Sequence, residues 1–375
     1  MVSAVAAALV AALLAGAGTS RAESGGSDEI YSIKPDGQGL VDLSNDPAND
    51  RFPVESPRGG RIAFVSDRDG YDAVYLMNDD GSQQRRLTDR LTGRNEAACR
   101  LGPPVWSPQG STIAFDGSCR SIHDDPRSFD SSVYVVSSSG GAVRGLVAGG
   151  ANPSFSADGR FVAYTSQPNV IAPMTVGVVA ADGGAPAAVG LGSSPAWSPR
   201  GHRLAFAWEK RGLAVVDAAT SSRRWVFARR VNARAGWSPD GQLLAFFLGG
   251  ARPGIYAVRP GGRRARWLVD LPEPSSVNWS PDGRWLALRG SRSTFVVTRR
   301  GRYLRSLGGQ AAEPAWSPDS SFVASADPSA GGVAVTKVPG EVTMLLAASP
   351  AIFGLTWTRD SRRLIFASTP LATPY

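Results

Sequence analysis

Lysine is almost missing from this 375-residue chain, with three copies against 37 arginines. No Gly-x-x-x-x-Gly-Lys phosphate loop occurs, which removes the usual nucleoside-triphosphate machinery. Histidine occurs only at 123 and 202, and cysteine only at 99 and 119. A zinc site wants several such ligands at short spacing, and two of each, scattered, do not make one. His202 falls in the turn Ser-Pro-Arg-Gly-His and reads as a solvated surface residue. The Gly-x-Ser-x-Gly elbow of a serine hydrolase is absent, and the repeat described below runs almost to the C-terminus, leaving no room for a hydrolase domain. Helical periods with i, i+3, i+4 apolar spacing are absent after residue 22. No cofactor is implied.

A long apolar run occurs once. Residues 2–18, VSAVAAALVAALLAGAG, are uncharged and followed by TSRA and a polar stretch. The run is short and small-sided for a membrane span, and reads as a secretory signal peptide over 1–22. Ser20 and Ala22 fit a small-x-small cleavage site, so the mature chain is expected to begin at Glu23, with 23–28 a short linker. The segment before the apolar run has no basic side chain. No later run is long enough to span a bilayer, so a secreted or periplasmic protein is expected. In that compartment a cysteine pair is expected to be bridged.

What the chain has in quantity is glycine (43), proline (27) and one repeated phrase. WSPDG stands at 237–241 and 279–283, with variants at 106–110, 197–201 and 316–320. Aligned on the turn, the first position of the phrase falls at Glu55, Trp106, Phe155, Trp197, Trp237, Trp279, Trp316 and Trp357. Steps near 40 residues with four strands per unit are the signature of a β-propeller. Ser, Pro and Gly suit the first, second and fourth places of a type I turn. Each phrase therefore closes a hairpin whose aromatic packs between neighbouring sheets. A second hairpin follows in each unit, as in GIYAVRPGGRRARWLV at 254–269. The chain opens on such a second hairpin (29–44) and closes on a first one (355–368). Each completes the other, which predicts a ring closed by pairing the two ends. The fold class is all-β: a single propeller over 29–370 with eight four-stranded blades. Seven remains open because the Glu55 unit is the most degenerate.

WSPDGRWLAL and GIYAVRPGG resemble the TolB-type and WD-like propeller repeat, which is similar to the N-terminal propeller of the dipeptidyl and prolyl oligopeptidases. The likeness covers nearly the whole mature chain and implies the fold. TolB's propeller is six-bladed and preceded by a small mixed domain. Here only a few residues separate the signal from the first strand, so TolB's role with a peptidoglycan-associated lipoprotein is not carried over.

In such a ring the hairpin turns lie on one rim and the connections between hairpins and between blades on the other. Both long insertions, 89–103 and 116–131, are connections and crowd one rim, where extra residues often mark a binding face. Arg94, Asn95, Glu96 and Arg100 of the first would neighbour His123, Asp124, Asp125 and Asp130 of the second. Extending the hairpin around 107–110 outward sets Cys99 opposite Ser118, within reach of Cys119. A bridge there would close a loop worth about 3 kcal/mol in the chain-entropy model. Asp67, Asp69 and Asp72 in SDRDGYD are the weak candidates for oxygen ligands to calcium, although Asp-Gly pairs are ordinary turn formers.

Charge is segregated. Residues 23–170 carry a net −6 and residues 200–305 a net +15. Arg263, Arg264 and Arg266 in one turn and Arg299, Arg300 and Arg302 in another form a basic arc. Such an arc attracts polyanions through a salt-screened field. The pattern points to a secreted, non-catalytic monomer that binds a protein or an anionic envelope polymer, with export arguing against nucleic acid. The alternatives are a hydrolase or lyase using carboxylates at a central channel, and a regulatory propeller for a separate peptidase.

Overall fold

Every Ser-Pro-Asp-Gly phrase is a hairpin turn built the same way. In the Trp279 copy, strand Ser276–Trp279 pairs antiparallel with Trp285–Arg289, Trp279 opposite Leu286. Gly283 N–H donates to the Ser280 carbonyl at 2.9 Å, and Gly283 has a φ of 69°, which glycine adopts without strain. The Ser280 hydroxyl donates to Asp282 Oδ1 (2.6 Å) and accepts from Trp285 N–H (3.0 Å). Asp282 Oδ1 also accepts from Arg284 N–H (3.0 Å). The phrase thus recurs because its Ser, Asp and Gly each make a hydrogen bond that closes the turn.

The computed structural model describes residues 27–91, 99–120, 129–167, 172–208, 212–227, 235–249, 252–262, 264–271, 276–290, 293–302, 304–308, 313–327, 332–339, 343–348 and 352–369. The signal segment read at 1–22 lies outside them. Among the described residues no helix is long and apolar enough to cross a membrane.

The described strands form antiparallel sheets in chain order, named here by their aligned aromatic position. The Trp279 sheet is typical: Ser276–Trp279, Trp285–Arg289, Thr294–Thr298, Leu304–Gly308. In the Trp106 sheet, Arg100–Leu101 and Val105–Trp106 both pair with Thr112–Arg120. The Phe155 and Trp197 sheets are fused. Strand Ala187–Trp197 pairs with Thr175–Ala180 through residues 187–191, then with Arg203–Trp208 through 192–197. The expectation that the chain ends interlock holds. Glu29–Ile33 pairs with Leu364–Ser368, Tyr31 opposite Phe366, in one sheet with Val41–Asp42 and Ile352–Trp357.

Neighbouring sheets are joined at one edge by a chain of indole bonds. Trp106 Nε1 donates to the Val54 carbonyl, Trp197 to Ser154, Trp237 to Ala196, Trp279 to Gly236, Trp316 to Asn278 and Trp357 to Ala315, all at 2.9–3.2 Å. Each acceptor is the residue just before the aligned position of the preceding sheet. The aromatic-bearing edges therefore lie side by side around one axis. The middle strands are buried on both faces between sheets, which is why runs such as Arg61–Ser66 and Ala73–Asn78 read as almost continuously apolar. One such layer packs Phe247, Ile255 and Leu268 of the Trp237 sheet on Val277, Trp279 and Leu288 of the next.

Two turns replace the glycine by serine, Ser320 (φ 64°) and Ser361 (φ 60°). Their hydroxyls accept from Asp282 N–H and Asp319 N–H of the preceding sheet, both at 3.0 Å. The side chain offsets left-handed backbone strain by adding a bond between sheets.

Candidate functional site

Two charged regions stand out, on opposite rims. The first lies on the connection rim of the Glu55 sheet, within the net-acidic residues 23–170. Arg68 stacks on Phe64 (5.5 Å) and Tyr75 (4.8 Å). It donates to Asp50 Oδ2 (2.9 Å), Gln84 Oε1 (2.7 Å) and the Ser66 hydroxyl (2.9 Å). Asp50 is wholly buried, and burial raises its carboxyl against the pull of Ser66 and Arg68. Gln84 in turn donates to the Leu43 and Ser44 carbonyls of the closing sheet.

The three aspartates proposed as oxygen ligands are each engaged elsewhere. Asp67 accepts from Asn49 N–H and Nδ2, both at 2.8 Å. Asp69 accepts from the Tyr75 hydroxyl and Arg86 Nη1. Asp72 accepts from Arg51 Nη2 (2.9 Å) and Leu101 N–H (3.0 Å). They point to three different partners, and among the described residues no group of three His, Cys, Asp or Glu could hold a metal.

Two further carboxyls sit where the ring closes. Glu29 accepts from the Ser44 hydroxyl (2.7 Å), and burial pushes it up to about 7. Glu55 occupies the place that tryptophan holds in most sheets. Burial pushes it too up to about 7, against backbone N–H groups of Arg359, across the closure, and Gly60.

The cysteines form the expected bridge, Cys99–Cys119, closing a separation of 20 residues. Arg100 pairs opposite Ser118, and Asp130 opposite Cys119 on the neighbouring strand. The bridge thus ties the bases of both insertions to one sheet end. Arg94, Asn95, Glu96, His123, Asp124 and Asp125 lie outside the described residues. His202 differs from the sequence reading. It is half-buried on the turn rim, with Nδ1 3.6 Å from Asp158 and Nε2 3.4 Å from Asp217. The signal was available in principle, since both acids belong to turns that the repeat places on the same rim.

The second region is a groove of about 590 Å³ on the turn rim, between the Trp237 and Trp279 sheets. Arg259, Arg264, Arg266 and Arg299 line it, over a floor that includes Leu243 and Ala257. The hairpin register builds it: Ala257 pairs with Arg266, so the turn between them, with Arg259 and Arg264, hangs over the rim. The next sheet's turn closes against it. A Cβ at Gly301 (φ +77°) would come within 2.0 Å of the Leu268 carbonyl, so only glycine admits this approach. Arg266 donates to the Arg299 carbonyl at 3.1 Å. Arg299 donates both terminal nitrogens to Asp240 Oδ2 at 2.9 Å and lies over Trp279 at 5.7 Å. Partial burial pushes Asp240 up, but bonds from Ser238, Gln242 N–H and Arg299 outweigh it and hold the carboxyl at about 2. Arg259 and Arg264 are exposed, and among the described residues neither meets a carboxylate.

Of the basic arc read from sequence, the structure brings Arg264, Arg266 and Arg299 together. Arg300 and Arg302 are exposed beside them without lining the groove, and Arg263 lies outside the described residues. Arg259 was missed, although it opens the same turn as Arg264. The inner wall of the ring holds another hollow, of about 390 Å³. Among the described residues that line it, the ionisable one is Glu313, which accepts from Asn278 Nδ2 (3.3 Å) and lies 3.7 Å from Arg289.

No family model matches the chain. A TolB protein of the Tol-Pal system from Geobacter sulfurreducens is 34% identical over 84 residues, 22% of this chain and 18% of that one. The chain spans less than a third of the length of the curated relatives it matches. Among solved structures, the β-propeller domain of the trilobed protease from Pyrococcus furiosus is 13% identical with a TM-score of 0.51, over 72% of this chain and 95% of that one. An oligogalacturonate lyase in complex with manganese is 14% identical with a TM-score of 0.56, over 93% and 99%. The fold is a β-propeller of the TolB-like and peptidase kind. The protease domain is described as having an open velcro topology, whereas this ring pairs its two ends in one sheet.

Proposed function

We propose that the chain is a non-catalytic binding propeller of the extracytoplasmic space. Counting the shared strand 187–197 once for each sheet it serves, and Arg100–Leu101 with Val105–Trp106 as one interrupted strand, supports eight four-stranded blades. Its partner is an anionic envelope polymer or an acidic protein surface, held at the basic turn rim of the Trp237 and Trp279 sheets. One observation carries this reading: four arginines converge on a groove, and among the described residues the one carboxylate that meets any of them, Asp240, is spent on Arg299. Guanidinium groups outside ion pairs keep their field for a ligand. The bridged cysteines and the likeness to TolB support an extracytoplasmic place.

The enzyme alternative draws on the likeness to the lyase. It would need acids or a His/Arg group converging at the channel, and among the described residues lining the hollow there the ionisable one is Glu313, already bonded. The test is retention of the mature chain on an immobilised polyanion and on a neutral polymer. Retention on the polyanion alone, released as salt rises, is expected. Equal retention on both, or none at low salt, overturns the reading.

A further inference from the structure

We infer that the groove over Arg259, Arg264, Arg266 and Arg299 is a site for a phosphodiester flanked by polyol spacers, as in a polyol-phosphate chain. This rests on the binding function proposed above and deepens it. Three features select the ligand. The guanidinium groups come from a turn, an outer strand and the neighbouring sheet's turn, so they approach one space from several directions. A carboxylate offers two oxygens in one plane, and Asp240 spends one of them, Oδ2, on both terminal nitrogens of Arg299. A tetrahedral phosphate presents oxygens to several donors at once.

The groove is also too large for a lone phosphate at about 590 Å³, and Leu243 and Ala257 give it uncharged surface beside the cations. A groove that offers both suits a chain in which anion and spacer alternate. Finally, two neighbouring arginines of this sector are spent on ring faces. Arg203 lies over Trp237 at 5.5 Å and Arg223 over Trp208 at 4.3 Å, with Arg223 also donating to the Val189 carbonyl. Arg259 and Arg264 are the exposed pair left at the groove mouth. Asp240 acts as a resident competitor, holding Arg299 until a ligand draws on its remaining donors.

The test uses the mature chain and four probes: deacylated poly(glycerol phosphate), vesicles containing phosphatidylglycerol, inorganic phosphate and polygalacturonate. Poly(glycerol phosphate) should bind best, and R259Q/R264Q should weaken it at least tenfold with the melting temperature unchanged. R300Q/R302Q removes the same charge beside the groove and should weaken it less than threefold. D240N, which frees Arg299, should tighten it severalfold. Vesicles binding more tightly than the soluble polymer would assign the phosphodiester to a lipid headgroup and overturn the polymer. Polygalacturonate binding as well as the phosphate polymer overturns the phosphodiester selectivity. Equal losses in the two double variants overturn the groove and leave a diffuse basic rim, so the broader function survives. No binding of any polyanion by the unmodified chain overturns both.

Discussion

The acidic region by the closure and the basic groove use the same residue types to opposite ends. Around Arg68 every charge is answered. The guanidinium is clasped by two aromatic rings, a buried carboxylate, an amide and a hydroxyl, and Asp67, Asp69 and Asp72 each have their own donor. In the groove Arg259 and Arg264 reach into solvent. A charge whose field ends on a neighbour holds the fold together. A charge whose field is left open is available to something else. Composition alone, as a net −6 against +15, would have suggested two similar patches of opposite sign, and they are not similar.

Four changes would break or sharpen this contrast. The largest effect is expected from Arg68→Ala. It strands Asp50 as a buried, uncompensated carboxylate, at a cost of about 3–5 kcal/mol in urea denaturation. Arg259→Ala should stay within about 0.5 kcal/mol of the unmodified chain by the same measurement. If both cost the same, the distinction between answered and open charges is wrong. Next, replacing Cys99 and Cys119 together by serine should cost about 3 kcal/mol and expose 89–103 and 116–131 to proteolysis first. Uniform cleavage around the ring would count against the bridge as an anchor of those segments.

Third is the pH response of the closure. Glu29 and Glu55 titrate near 7 in the folded ring and near 4.5 unfolded. A raised carboxyl means the folded state takes up the proton more readily. Their contribution is therefore greatest below about 4.5 and is lost as pH rises through 7. Glu55→Gln should remove part of that decline, about 1 kcal/mol after solvent screening, seen as a flatter melting temperature between pH 5 and 8. The last of the four is Trp279→Phe, which deletes one indole bond to the Gly236 carbonyl. The Phe155 sheet manages without such a bond, so a loss of about 1 kcal/mol is expected by urea denaturation. A loss above about 3 kcal/mol would show that the indole chain acts as a unit.

The sequence disclosed whatever repeats. Evenly spaced Trp-Ser-Pro-Asp-Gly phrases gave the hairpins, their rims, the pairing of 29–33 with 364–368 and the reach of Cys99 to Cys119, because register around a short turn is arithmetic. It concealed what depends on neighbours far along the chain. Strand 187–197 contains Gly-Ser-Ser-Pro, which reads as a break between units, so its service to two sheets could not be read from AAVGLGSSPAW. Arg259 joins Arg299 only because Gly301 lets two turns approach. His202 looked solvated since its acids, Asp158 and Asp217, belong to a different sheet and a different turn. The hydroxyl bonds from Ser320 and Ser361 appear in sequence merely as imperfect copies of glycine.

The uninterrupted strand 187–197 has a further consequence. Elsewhere around the circle a linker separates one unit from the next, and a linker is where nicking, insertion and domain grafting find room. Here there is none between two consecutive units, so a cut or insertion within 187–197 would disturb two spokes of the wheel at once.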